Sequence, residues 1–195
     1  MSGVTFIVPV YNKAKYLKHV LKSIIEQKGE FDKEYIFIND GSTDDSYEIL
    51  KKHTKKWKNC RIFSQENCGS ASATNRGIFE ASKQYIKFLD ADDVLSSTST
   101  VSLIKLLKKS KQSVLSYGLQ EKIKNISEAN LNKNLDLTKI EIIKEPIYLA
   151  IRNSMFNPSQ FLVKTEYCKK VGGCDERIKH SQEYSLTLRL SLEGS

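Results

Sequence analysis

Residues 85–94 read YIKFLDADDV, and the rest of the chain is best understood outward from them. Tyr85, Ile86, Phe88 and Leu89 supply the apolar, aromatic and β-branched mix of a buried strand. Asp90, Asp92 and Asp93 then follow within four residues. Carboxylates crowded at a strand end repel one another, and a hard divalent cation that prefers oxygen ligands relieves the repulsion. In open α/β sheets, ligands bind outside the carboxyl ends of the strands, so the acids lie where a site is expected. Taken alone, the stretch also reads as an acidic turn that caps the following helix.

Upstream, residues 4–10 are nearly all apolar, as in a parallel strand covered on both faces; Pro9 and Asn12 end it. Leu17, Val20, Leu21, Ile24 and Ile25 recur at helical spacing and predict an amphipathic helix over 14–27, with Gly29 as its stop. A second strand, 35–38, runs into the polar knot NDGSTDD at 39–45. Turn and helix-cap chemistry accounts for 42–45 but less well for Asp40, which sits at the strand tip. A helix over 46–53 and a short strand over 61–63 follow. Residues 66–77, ENCGSASATNRG, read as a loop opening a helix that ends near residue 82. Its small residues, Gly69 to Ala73, allow close approach of either a ligand or a neighbouring strand. Strand and helix alternate three times before the acidic strand, the pattern of a parallel sheet wound with helices. Right-handed crossovers would set three polar strand tips on one edge: Tyr11 with Asn12, Asn39 with Asp40, and Asp90 with Asp92.

Downstream the pattern loosens. Residues 96–100 are polar, 103–111 predict a lysine-rich helix and 114–117 a strand. No firm structure is assigned to 122–139. Residues 140–151 are helical in part, with a break near Pro146. A strand at 161–163 precedes a helix over 165–171, which Gly172 and Gly173 stop. Tyr184, Leu188 and Leu192 share a helix face, so 181–192 is taken as helix. The whole, 1–195, is expected to be one domain with a nucleotide-binding half over 1–95 and an acceptor-side half over 96–195.

Hydrophobic residues make up 39% of the chain, enough for a substantial core. The net charge of +8 suits an anionic partner: a nucleotide, an acidic lipid surface or nucleic acid. The cluster Lys51, Lys52, Lys55, Lys56 and Lys58 reads as a solvated helix face. Cys60, Cys68, Cys168 and Cys174 form no CxxC or zinc spacing and are taken as reduced thiols of a cytoplasmic protein, without disulfides. No stretch approaches the ~20 apolar residues that span a bilayer, so any membrane association would be peripheral, at the inner face. P-loop and dinucleotide fingerprints are lacking. A nucleotidyltransferase remains an alternative, although the loop after the first strand has no glycine. So does a basic, non-catalytic module for nucleotides or polyanions, although the lysines are not interleaved with aromatics as stacking on nucleic acid requires.

Five stretches together resemble the family 2 inverting glycosyltransferases of the GT-A fold. FIVPVYNKAKYL is similar to that family's opening strand and nucleotide loop, IFINDGSTDDS to its second-strand motif and ENCGSASATNRG to its third. KFLDADD resembles its DxD metal motif, and VGGCDERIKHSQEYSLTLRL its late segment with an acidic pair. The five lie in family order. The resemblance implies a Rossmann-like, mostly parallel sheet with helices on both faces, and transfer of a sugar from a nucleoside-diphosphate donor, in particular a UDP-sugar. The acceptor would be a saccharide or lipid-linked hydroxyl, in surface polysaccharide or glycoconjugate synthesis, and nucleic acid would not be a partner.

Carried over residue by residue, Pro9, Tyr11 and Asn12 would line the base and ribose pocket. Asp40 would accept a hydrogen bond from the base, and Asn75 would sit near the donor. Asp90 would hold the ribose or sugar end and share Mg²⁺ or Mn²⁺ with Asp92. Glu183 falls on the catalytic base. This chain departs from the pattern at three places. The acidic pair, usually Glu-Asp, is Gln182-Glu183. Thr74 replaces an arginine, with Arg76 two residues on. Many relatives continue past the last motif, so some acceptor-side elements are expected to be missing.

Overall fold

The computed structural model describes residues 1–132, 140–152, 157–178 and 182–194. The expectations for Ser181 and for 133–139 lie outside the described residues. The strands are β1 (Gly3–Val10), β2 (Asp32–Asp40), β3 (Cys60–Gln65), β4 (Tyr85–Phe88), β5 (Leu115–Tyr117) and β6 (Phe161–Lys164). The helices are α1 (Ala14–Ile25), α2 (Ser46–Thr54), α3 (Ser70–Glu80), α4 (Ser99–Lys109), α5 (Ile147–Arg152), α6 (Thr165–Lys170) and α7 (Gln182–Leu190). One six-stranded sheet runs in the order β3-β2-β1-β4-β6-β5. β3, β2, β1 and β4 are parallel, whereas β6 is antiparallel to both β4 and β5.

The expected alternation of buried faces holds along β1. Phe6 and Val8 pack with Leu17, Val20 and Ile24 of α1, Leu50 of α2 and Leu103 and Leu107 of α4. Ile7 points the other way, to Ala73 and Ile78 of α3 and Leu186 and Leu190 of α7. Both faces are therefore covered, which is why residues 4–10 are nearly all apolar. The small residues of α3 serve this packing. A Cβ on Gly77 would lie 2.3 Å from Ile7 Cγ2, so α3 rides directly on β1.

Among the boundaries that differ from the sequence reading, two do so for one reason. α1 stops at Ile25 and not at 27 because Gln27 turns inward. Its Nε2 donates to Ser23 O and Ser96 O, and its Oε1 accepts from Thr100 N and Thr100 Oγ1. That bracket draws the polar run after residue 95 into the interior, and α4 begins at Ser99, four residues earlier than the apolar spacing suggests.

At the opposite end of the strands from the acids, buried Glu34 accepts from Thr5 Oγ1 (2.6 Å), Ser82 N and Ser82 Oγ (both 2.9 Å) and Arg61 Nη2 (3.1 Å). Burial pushes its carboxyl up, but the bonds from Thr5 and Ser82 and the Arg61 charge outweigh this and hold it below the usual glutamate range. Its stabilisation is therefore present above about pH 4.3 and lost as pH falls below that value. Glu34→Ala strands several donors and is expected to cost about 2 kcal/mol. A thermal melt at neutral pH should show a Tm lower by roughly 4–8 °C, and the deficit should shrink in acid.

Candidate active site

The strand order places the site. The chain winds from β1 out to β2 and β3, then returns past β1 to β4. The reversal leaves a crevice between the carboxyl ends of β1 and β4, the switch point where open α/β sheets bind ligands. Because β2, β1 and β4 are parallel neighbours, the three polar tips do share one edge.

The first two tips are laced together. Asn12, in a left-handed conformation (φ 52°), accepts through Oδ1 from Thr43 N, Thr43 Oγ1 and Asp44 N. Its own N–H donates to Ser42 Oγ at 3.1 Å. Lys13 N donates to Ser46 Oγ (2.8 Å) and Ala14 N to Asp44 Oδ2 (3.0 Å). The polar knot after β2 thus caps α1 as well as opening α2. Tyr11 remains at the crevice mouth, 46% exposed.

Asp40 faces the other way. It is 2% exposed. Its Oδ1 accepts from Gln65 Nε2 and Cys68 N, and its Oδ2 from Gly69 N. These bonds hold the loop that opens α3. Asn75 has a similar office at longer range. Its Oδ1 accepts from Cys174 N (2.7 Å), and its Nδ2 donates to Cys174 O (3.0 Å) and Glu176 Oε1 (2.9 Å). The close fit requires glycine at 173: φ is +71°, and a Cβ would fall 2.3 Å from Asn75 Oδ1. Arg189 of α7 then donates to Val171 O and Gly173 O, and Ser185 Oγ accepts from Asp175 N. By these contacts α3 and the 171–176 loop fix the first turn of α7, which carries Glu183.

The acids sit just beyond β4. Asp90 N donates to Ser159 Oγ at 3.0 Å, and Asp93 N to Asp90 O at 3.0 Å. Burial pushes the Asp90 carboxyl up to about 7, with the charges of Asp93, Asp92 and Glu183 adding to it and Lys13 pulling back. Asp90 and Glu183 line one small pocket with Pro9, Thr74 and Leu186. Its volume of about 10 Å³ is the room of a single water, so a saccharide could lie only across its mouth. A roomier apolar cavity of about 440 Å³ lies by β5, between α4 and residues 140–146, and has none of this chemistry.

The donor set fits a divalent cation. Carboxylate oxygens are hard donors, and Asp92 Oδ2 pairs with Lys13 Nζ at 2.5 Å. Among the described residues no three acids, histidines or cysteines converge as a closed cage.

Two residues of consequence escaped the sequence reading. Lys13 sits in the first loop with no pattern to mark it. Lys87 lies in the middle of β4 and is fully buried, with Nζ donating to the carbonyls of Phe88, Ser159 and Phe161. Burial pushes its amine down to about 7, while Asp93 and Asp90 oppose that shift. A lysine inside an apolar strand was the available signal. The lysines of α2 are exposed as expected. Among the described residues, no helix is long and apolar enough to cross a membrane.

Comparison with known proteins agrees with this geometry. The uncharacterized glycosyltransferase YibD of Escherichia coli K12 is 37% identical over 103 residues, covering 53% of this chain and 30% of that protein. The chain thus spans less than a third of that relative's length. Staphylococcus aureus TarS 1–349, solved with UDP, superposes over 100% of this chain and 56% of its own, with a TM-score of 0.77 at 19% identity. The mannosyltransferase PcManGT of Pyrobaculum calidifontis, solved with GDP-Man and Mn²⁺, covers 92% of this chain and 49% of its own at a TM-score of 0.70 and 18% identity. At such identities the likeness shows the GT-A type fold. The model of glycosyl transferase family 2 matches residues 5–172, and the chain belongs to that family.

Proposed function

We propose that the protein transfers a sugar from a nucleoside-diphosphate donor, in particular a UDP-sugar, to a saccharide or lipid-linked acceptor hydroxyl with inversion. The observation that carries this reading is the crowding of Asp90 by Asp92, Asp93 and Glu183 at the β1/β4 switch point. Tyr11 and Pro9 would line the nucleoside side of the crevice. Asn12 and Asp40 would act chiefly by holding the loops that shape it, with Asp40 Oδ2 keeping an acceptor position for a base N–H. Asn75 would act through the 173–176 loop. Asp92 and Asp90 would hold Mg²⁺ or Mn²⁺, which when bound supplies positive charge to the leaving diphosphate. Glu183 would take the proton of the attacking hydroxyl. TarS was solved with UDP and PcManGT with GDP-Man and Mn²⁺, which supports a nucleotide and a cation as ligands. A place in surface polysaccharide or glycoconjugate synthesis, in the cytoplasm or at the inner membrane face, is part of the same proposal.

The test is calorimetric titration of UDP with and without Mn²⁺, repeated on Asp92→Ala. Binding is expected to depend on the cation and to weaken by about tenfold or more in the variant, the scale of losing one charged ligand. Binding indifferent to Mn²⁺ would remove Asp92 from the cation site, and absence of UDP binding would require another nucleotide.

A further inference from the structure

The arginine that the family resemblance implies at position 74 is absent here, and Arg76 does not replace it. Arg76 Nη1 donates to Ser64 O at 2.9 Å, and its guanidinium lies 5.1 Å from the Phe63 ring, so it is committed to β3. Thr74, at the position in question, is a buried neutral hydroxyl. The cation that stands among the acids is Lys13. Its main chain is pinned by the loop after β2, through Lys13 N to Ser46 Oγ and Ala14 N to Asp44 Oδ2. Its side chain is not: the Lys13 and Asp92 side chains are 35% and 41% exposed.

We infer that Lys13 gates the cation site. Without donor, its ammonium holds Asp92 and competes with a divalent cation for that carboxylate. When a nucleoside diphosphate arrives, the ammonium moves to the phosphate oxygens and releases Asp92 to the metal. This rests on the donor-site reading above and adds to it an order of events. The energetics permit the exchange. An exposed lysine–carboxylate pair is weak and easily broken, a divalent ion carries twice its charge, and a diphosphate offers the lysine a stronger anion. The pinned backbone keeps the ammonium within reach of either partner. Metal and nucleotide therefore bind more tightly together than separately, and Lys13 is a source of that coupling.

The experiment measures Mn²⁺ affinity with and without UDP for the parent, Lys13→Met and Lys15→Met; Lys15 is a neighbouring exposed lysine that pairs with none of these acids. Lys13→Met should bind Mn²⁺ alone about fivefold more tightly and, with Mn²⁺ saturating, bind UDP about tenfold more weakly, the scale of one solvent-screened charge contact. Lys15→Met should match the parent. If Lys13→Met matches the parent in both readouts, or both variants shift alike, the gate falls while the donor site stands. If the parent binds no Mn²⁺ even with UDP present, the cation-site reading falls and takes the gate with it.

Discussion

Glu183→Gln is expected to abolish sugar transfer while leaving the donor bound. Glu183 sits in the first turn of α7 and lines the same pocket as Asp90, close enough for its charge to raise that carboxyl. A carboxylate is the state a general base requires. An amide of the same shape keeps the packing of α7, whose anchors are Arg189, Ser185 and Leu186, and removes the proton acceptor. General-base catalysis is worth about 10²–10⁴-fold, so turnover should fall by roughly 10³, and Mn²⁺-dependent UDP affinity should stay within about threefold, a small change on the affinity scale. UDP released from a UDP-sugar, with water as acceptor if necessary, provides the assay. Glu183→Asp asks a further question, since the family's usual acid here is the shorter one; partial activity would mean that α7 can move by a bond length. Unchanged turnover in Glu183→Gln would leave Glu183 an ordinary acid of a helix N-terminus.

The parallel half of the sheet was legible because its strands are covered on both faces and its helices on one. Buried strands 8 and 9 residues long alternating with amphipathic helices leave few other arrangements. The antiparallel return of β6 and β5 was not, because strands of 4 and 3 residues carry no period and their order is set by what covers them. The edge bearing the site followed from topology alone. What individual polar residues do at that edge did not, because their partners are distant in sequence. Asp40 turns to Cys68 and Gly69, 28 and 29 residues on. Asn12 bonds Thr43, and Asn75 bonds Cys174, 99 residues away. A motif marks such residues as constrained without saying whether a ligand or another loop constrains them. Asn12, Asp40 and Asn75 spend most of their hydrogen bonds on loops, whereas Asp90, Asp92 and Glu183 share one electrostatic cluster. That difference separates the residues whose bonds shape the crevice from those proposed to act in it.

Lys87 belongs to neither group, and its removal is expected to have the largest effect on stability. It opposes Phe6 of β1 and Leu162 of β6 in the ladder, so its stem packs in the layer beneath α1 and α4. Its ammonium ties β4 to the turn at Pro158–Gln160 through Ser159 O, and Ser159 Oγ in turn accepts from Asp90 N. Three carbonyl acceptors call for three N–H donors, so the geometry is that of the charged form, under acids that need a counter-charge. Lys87→Ala removes the stem, the donors and the charge together. It should cost about 3–5 kcal/mol, the range for opening a core cavity and breaking a buried charge network, and lower Tm by roughly 8–15 °C for a chain this size. Lys87→Met separates the contributions by keeping the stem. If the ammonium holds the turn, the methionine variant should melt about 3–6 °C below the parent and bind UDP with Mn²⁺ about tenfold more weakly, one charge-assisted contact's worth. If burying the charge costs more than its hydrogen bonds return, as for some buried ion pairs, Lys87→Met will instead be the more stable protein. Weakened nucleotide binding in a stabilised variant would then show that the lysine serves the site at the expense of the fold.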